Sequence, residues 1–315
     1  MARREFAVGS RGSLLARRQT ELALDALRLT QPEARFRLRT VTTSGDRSQE
    51  SLAEIGGRGV FVVELERALL ANEIDVAVHS LKDMPSGSTE GLTVAAVSER
   101  ADVRDVVVAR DGRKLADLPP GAVVGTGSPR RAAQLLAARP DLRVADIRGN
   151  VDTRIRKVAD GDYDATVLAA AGLARLGWLD RASEILSTDV MLPAVGQGAL
   201  ALQVRAADAE AAALVTAVAH GPTERATAAE RAFEARLGGG CYSAIAALGE
   251  IISPLALGEA DGLTMRLRGL VADPAGGRLL RDEIEGSVED AEALGVRLAE
   301  ALLAQGASAI LEAAS

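Results

Sequence analysis

Over residues 1–193, short β-branched apolar runs alternate with stretches of helical periodicity, and this alternation is the strongest constraint on what the chain can fold into. Phe6–Val8 ends at Gly9, and from Ser13 a helical pattern places Leu15, Leu22, Ala26 and Leu29 on one face. Phe36–Thr42, Asp75–Val78 and Leu92–Val97 read as strands, with Phe61, Leu65 and Leu69 at helical spacing between them. After Arg104 the same grammar restarts. Val106–Ala109, Ala122–Gly125, Leu142–Ile147 and Ala165–Leu168 read as strands, and helices begin near Pro129, Val151 and Ala170. Strands alternating with helices imply mainly parallel sheets covered on both faces. Two such series in succession predict an α/β protein of two similar lobes with a cleft between them.

From Gly221 the pattern changes. Pro222 suits the first turn of a helix running to Leu237 and stopped by Gly238-Gly239-Gly240. Leu255–Leu257, then Asp261-Gly262, then Leu263, Met265 and Leu267 alternating with polar residues, reads as a hairpin. Leu294, Leu298 and Leu302 mark a closing helix that ends near Gly306. This third segment is a small α+β domain. At 315 residues and 48% hydrophobic content the chain can bury several cores, and with only 2% aromatics these are aliphatic. The polar, glycine-rich Gly45–Gly59 reads as a loop.

Charge and composition exclude several classes. A formal charge of −7 argues against a general nucleic-acid binder. One cysteine excludes a disulfide framework and a Cys-rich zinc site, and two histidines make a His-based metal site improbable. The start, MARREFAVGS, has no apolar core of signal-peptide length, and no run of about 18 apolar residues occurs to span a membrane. The reading is a soluble cytoplasmic protein without a membrane or nucleic-acid partner.

Lysine occurs only at Lys82, Lys114 and Lys157, so the other basic residues of the 37 are arginine. Two segments echo each other. VGSRGS (Val8–Ser13) and VGTGSPRR (Val124–Arg131) each combine a strand end, a glycine, hydroxyl residues, arginine and a helix start. Ser13 as a plain helix cap and Gly127 as a tight turn are one reading; an anion site made with Arg11, Arg130 and Arg131 is the other. The third glycine of a dinucleotide fingerprint and the lysine of a phosphate loop are both missing. Arg148, Arg154 and Arg175 fall beyond further strand ends. Each alone reads as a surface charge, but together they line a cleft suited to a multiply charged anion.

Two further segments could carry chemistry. In HSLKDMPS, directly after a strand, Asp83 is the candidate for proton transfer. Cys241, after three glycines, is a buried small hydrophobe, a nucleophile short of a histidine partner, or a covalent anchor for a prosthetic group. Without catalysis the same chain would be a two-lobed anion-binding protein.

The ordered segments GSRGSLLARRQ, GGRGVFVVELERALL, DVAVHSLKDMPS, VGTGSPRRAAQL, DIRGNVDTR, AAGLARLG, LPAVGQGALALQVR and LGGGCYSAIAALG closely resemble the porphobilinogen deaminase (hydroxymethylbilane synthase) family. The resemblance implies a transferase of tetrapyrrole biosynthesis. It joins four porphobilinogen molecules head to tail with loss of ammonia, then releases hydroxymethylbilane by hydrolysis. It also implies a dipyrromethane cofactor held by a thioether to Cys241, with Asp83 as the catalytic residue. Lys82, Ser128, Arg130 and Arg131 would hold the cofactor, and Arg11, Ser13, Arg148, Arg154 and Arg175 the substrate. The implied fold has two lobes like those of periplasmic binding proteins and a cysteine-bearing third domain, in a monomer. The implied domains are 1–98 with 199–216, then 104–193, then 221–315, with Gly45–Gly59 as a lid over the cleft. Glu54 and Arg58 stand where the family often has lysine, and Gly127 stands where serine is usual.

Overall fold

The computed structural model describes residues 4–41, 62–238, 244–252 and 263–313. The expected lid Gly45–Gly59, Cys241 and the expected hairpin arm and turn, Leu255–Leu257 and Asp261-Gly262, lie outside the described residues.

In chain order the elements are β1 (Glu5–Arg11), α1 (Leu14–Thr30), β2 (Arg35–Val41), α2 (Val63–Leu70), β3 (Val76–Ser80), β4 (Leu92–Val97), β5 (Asp105–Ala109), β6 (Val123–Gly125) and α3 (Pro129–Ala138). Then come β7 (Arg143–Ala145), α4 (Val151–Ala159), β8 (Ala165–Ala169), α5 (Ala170–Leu176), β9 (Glu184–Ile185), β10 (Leu200–Arg205), α6 (Ala209–Thr216) and α7 (Gly221–Arg236). The chain closes with β11 (Ala244–Ile252), β12 (Thr264–Ala272), β13 (Leu279–Ser287), α8 (Ala291–Ala304) and α9 (Ala307–Ala313). These gather into two compact units, Met1–Ala101 with Gly196–Glu224, and Asp102–Val195 with Arg225–Ser315.

The first unit is built on a five-stranded sheet in the order β2-β1-β3-β10-β4. β1 pairs parallel with β2 and β3, whereas β10 runs antiparallel to both β3 and β4. Four strands therefore share one direction and β10 opposes them. Phe6, Val8, Val76, Val78, Leu202 and Val204 form the core under α1 and α6. Ser13 caps α1 by accepting the Ala16 amide at 3.3 Å. The buried face of α1 is Gln19, Thr20, Ala23, Leu24 and Leu27, not the stripe read from the sequence; Leu29 is 85% exposed. Leucines lie on both stripes, so periodicity alone chooses poorly. Polar groups decide it, since Thr20 Oγ1 donates back to the Ala16 carbonyl and Gln19 bonds Ser80. At one end of the sheet Arg4 and Arg205 share Asp75 and Asp208 in a part-buried ion cluster.

The second unit repeats the plan. Its first sheet has the order β7-β6-β8-β5-β9, with β6 parallel to β7 and β8, and β5 antiparallel to β8 and β9. The mainly parallel α/β architecture expected from the sequence is therefore present twice. Ser128 is the N-cap of α3 and Pro129 occupies its first turn, where the missing amide costs nothing. The same unit contains an antiparallel sheet, β11-β12-β13. The arm that pairs with β12 is Ala244–Ile252, a strand that the reading of Leu255–Leu257 as first arm missed. Phe233, Leu294, Leu298 and Leu302 from α7 and α8 pack one face of this sheet. Ala133 and Leu192 meet its other face at Ala244, Ala246 and Leu270.

Candidate active site

In the first unit, β1 and β3 are parallel neighbours, so their carboxyl ends open at one edge of the sheet. Arg11 closes β1 there, and Ser13 starts α1 two residues later. β3 ends at Ser80 and continues into a single 3-10 turn, Leu81–Asp83. That turn puts Lys82 and Asp83 at the same edge, both half-buried, while Leu81 beside them anchors the turn in a core with Met84 and Ala201. Four of the residues singled out from the sequence are thus brought together by strand order alone.

Lys82 is held by a residue that the sequence reading passed over. Its Nζ donates to Gln197 Oε1 at 3.2 Å. Gln197 is fully buried, and Arg100 Nε donates to its carbonyl at 2.7 Å. The glycines on either side make this possible. Gly196 and Gly198 have φ of 70° and 93°, and a Cβ at Gly196 would sit 2.8 Å from Leu81 Cγ. The signal was present as a lone glutamine between two glycines, GQG, in an otherwise apolar run.

In the second unit, the parallel strands β7, β6 and β8 place Ser128, Arg148, Arg154 and Arg175 beyond their carboxyl ends in the same way. Ser128 Oγ accepts the Arg131 amide at 3.4 Å. A hydroxyl used as a cap acceptor keeps its own hydrogen to donate, so capping and anion binding are compatible at Ser13 and Ser128. Arg148 Nε donates to Asp146 Oδ2 at 2.8 Å, and Arg154 Nε to the Gly149 carbonyl at 2.8 Å. A Cβ at Gly127 would lie 2.7 Å from Asp146 Oδ1, so the glycine there leaves room for the carboxylate that orients Arg148. Burial pushes the Arg175 guanidinium down to about 10, the mark of a cation short of solvent.

Arg130 and Arg131 differ from the expected lining arginines. They are 4% and 6% exposed, and both are committed to Asp105, whose side chain is wholly buried. Arg130 Nη2 lies 2.8 Å from Asp105 Oδ2, and Arg131 Nη2 lies 2.7 Å from Oδ1. Arg130 Nη1 also donates to the Leu192 carbonyl at 2.7 Å, and Gln134 brackets the same peptide through its N–H and C=O. Two cations on one carboxylate leave a net positive charge inside the unit, which a ligand carboxylate would complete. Asp105, an acid opening the run DVVVA, is the only hint of this in the sequence.

At each unit's strand-end edge the donors are mostly cationic and hydroxyl groups, with the Asp83 carboxylate among them in the first unit and Asp146 in the second. Among the described residues no cluster of His, Cys, Asp and Glu could hold a metal ion. Guanidinium, ammonium and hydroxyl donors of this kind pair with carboxylates.

Comparison with known proteins agrees. Residues 6–213 match the porphobilinogen deaminase dipyromethane cofactor binding domain, and residues 225–304 match the porphobilinogen deaminase C-terminal domain. Porphobilinogen deaminase of Thermus thermophilus is 48% identical over 308 residues, covering 98% of each chain. This chain belongs to the porphobilinogen deaminase family. The Brevibacillus brevis porphobilinogen deaminase is 45% identical over 98% of this chain and 96% of its own. Among solved structures, the methionine binding protein MetQ matches at a TM-score of 0.42 and 12% identity, over 67% of this chain and 88% of that one. Arg11, Ser13, Lys82, Asp83, Ser128, Arg130, Arg131, Arg148, Arg154 and Arg175 all fall in the first porphobilinogen deaminase match, and Cys241 falls in the second.

Proposed function

We propose that Asp83 is the catalytic acid–base group and Cys241 the covalent anchor in a porphobilinogen-polymerising enzyme. As a member of its family the chain is a hydroxymethylbilane synthase, a transferase of tetrapyrrole and heme biosynthesis. It joins four porphobilinogen molecules head to tail, losing ammonia at each step, and hydrolyses off the linear product. Its cofactor is dipyrromethane, which when bound supplies a fixed primer from which the chain grows. The single observation that carries the residue assignment is the placing of Asp83 beside Lys82 on the turn after β3, at the same edge as Arg11 and Ser13.

The residues present fit the cofactor, because its acetate and propionate groups need cations and O–H donors. Lys82, Ser128, Arg130 and Arg131 would hold those carboxylates. Arg11, Ser13, Arg148, Arg154 and Arg175 take the carboxylates of incoming substrate, in pairs of parallel hydrogen bonds where a guanidinium allows it. Asp83 accepts hydrogen bonds from pyrrole N–H groups and stabilises the positive charge that develops as ammonia leaves. Once the new carbon–carbon bond has formed, it takes the α-proton whose loss restores aromaticity to the acceptor ring. Ser80, bonded to Gln19, and Lys82, bonded to Gln197, fix the turn on which Asp83 rides. The protein works as a cytoplasmic monomer divided at 1–98 with 199–216, 104–193 and 221–315, and engages neither nucleic acid nor membrane.

Intact-mass spectrometry tests the anchor. The purified protein is expected to exceed its sequence mass by two substrate-derived pyrrole units, and Cys241→Ser to lose that excess. A bare-chain mass in a preparation that still makes hydroxymethylbilane would overturn the assignment.

A further inference from the structure

His79 is one of two histidines in the chain, and the proposed chemistry leaves it unused. It is buried near the end of β3, four residues before Asp83. Its Nε2 lies 3.1 Å from Gln203 Oε1 on the adjoining β10. The Gln203 amide is itself oriented from its other end, where Nε2 donates to Glu66 Oε1 at 2.8 Å. Thr89 Oγ1 donates to the same carboxylate, 2.9 Å from Oε2. An ionised carboxylate only accepts, so the NH₂ of Gln203 must face Glu66 and its carbonyl must face His79. The imidazole is thereby required to carry its hydrogen on Nε2. Glu66, Gln203 and His79 are 9%, 3% and 5% exposed, so water does not share these bonds freely.

We propose that Glu66 and Gln203 are positioning residues that fix the hydrogen of His79 on Nε2 while burial keeps the ring neutral, so that no imidazolium offsets the negative charge of Asp83. The inference rests on the reading of Asp83 as the catalytic carboxylate and adds what keeps that carboxylate effective. An imidazolium four residues away would draw on the same field that must stabilise positive charge on the reacting rings. The amide spacer is what separates orientation from charge. A carboxylate touching His79 directly would favour imidazolium, whereas Gln203 passes on the hydrogen-bond direction and keeps the Glu66 charge one residue removed. Among the described residues, the charged groups acting on His79 are Asp83 on its own segment and Arg11 at the end of β1, with Glu66 on α2 beyond the amide. Burial pushes His79 down to about 4, with Arg11 acting the same way and the Gln203 bond and Asp83 acting against it.

The test uses the full-length holoenzyme labelled with ¹⁵N in histidine. Long-range ¹H–¹⁵N spectra then show two ring systems, and His220→Gln identifies the other. His79 is expected as the neutral Nε2–H tautomer from pH 8 down to about pH 5. An Nδ1–H pattern, or a charged ring at pH 7, overturns the proposal without any variant having to fold. Gln203→Glu is the second measurement. It should raise the His79 protonation midpoint by at least about one pH unit and move the acid limb of kcat upward by the same amount, with KM changed less than about twofold. A kcat profile that stays in place while His79 becomes charged overturns the link to Asp83. If instead Asp83→Ala keeps its turnover, the reading of Asp83 has failed, and the tautomer spectrum still reports on His79 by itself.

Discussion

The two α/β sheets share one strand plan but fasten their cations in opposite ways. In the first unit Lys82 is steadied by the neutral amide of Gln197, a partner that fixes its position without itself bringing a counter-charge. In the second unit Arg130 and Arg131 are steadied by the buried carboxylate of Asp105, which fixes their geometry and cancels half their charge. A neutral clamp suits a cofactor-holding cation that sits beside the acid proposed to do the chemistry and must not screen it further. An ionic clamp suits a rigid seat for a cofactor that stays put through every round.

The comparison can be broken in order of effect. Asp83→Ala should keep the covalent cofactor and cut kcat by about 10²- to 10⁴-fold, the range for a lost general acid–base group. Turnover within about tenfold of wild type, about 1.4 kcal/mol, would place the chemistry elsewhere. Asp105→Asn removes the ionic clamp and should destabilise the second unit by about 3–5 kcal/mol, because two buried cations lose their counter-charge. Denaturant unfolding checks this, and a loss below about 1 kcal/mol would show that the arginines are satisfied without it. Gln197→Met keeps the volume and removes the neutral clamp. The fraction of protein carrying the cofactor mass at limiting porphobilinogen should fall by up to about tenfold, equivalent to about 1.5 kcal/mol for a hydrogen bond to a charged group, and an unchanged fraction would count against the clamp.

Acid should also separate the units. In the folded first unit His79 titrates near 4 instead of its usual 6.5, so the unfolded chain binds a proton that the folded one refuses. Its contribution to stability is complete above pH 6.5 and is lost as pH falls towards 4. Asp208, held low mainly by Arg4, adds a further loss at still lower pH. Burial works to raise the Asp75 carboxyl, but the Ala7 amide with Arg4 and Arg205 more than reverses it, so Asp75 follows Asp208. Hydrogen exchange between pH 7 and 4 should show protection falling first in β1, β3 and β10. Equal loss in β6 and β8 would remove the distinction.

How much was legible follows from the same contrast. Elements whose signals are local could be read directly: Ser13 as a cap, Pro129 in a first turn, Leu92–Val97 as a strand. Of the proposed site residues, Arg11, Ser13, Lys82, Asp83, Ser128 and Arg148 stand at or just after strand ends, and Arg130, Arg131, Arg154 and Arg175 in the helices that follow. Their partners were not legible, because Gln197, Asp105 and Gln203 lie from about 25 to 125 positions away from the side chains they hold, and no spacing rule links them. The buried face of α1 was misread for a related reason, since Gln19 and Thr20 are buried by hydrogen bonds that apolar periodicity does not register. β11 was missed because its glycine and alanines carry little strand preference and gain their place by packing on Ala133 and Leu192.

The interposed strand β10 has a consequence for how the protein is made. It occupies the gap between β3 and β4, yet follows them by more than a hundred residues. At roughly 5–20 residues per second of synthesis, the nascent first sheet waits several seconds with two strand edges exposed. During that interval β5 to β9 emerge and can pair among themselves. A ribosome-stalled chain ending before residue 200 would carry a finished second sheet and an open first one, so release, chaperone capture and assembly of the first unit all hinge on one late strand.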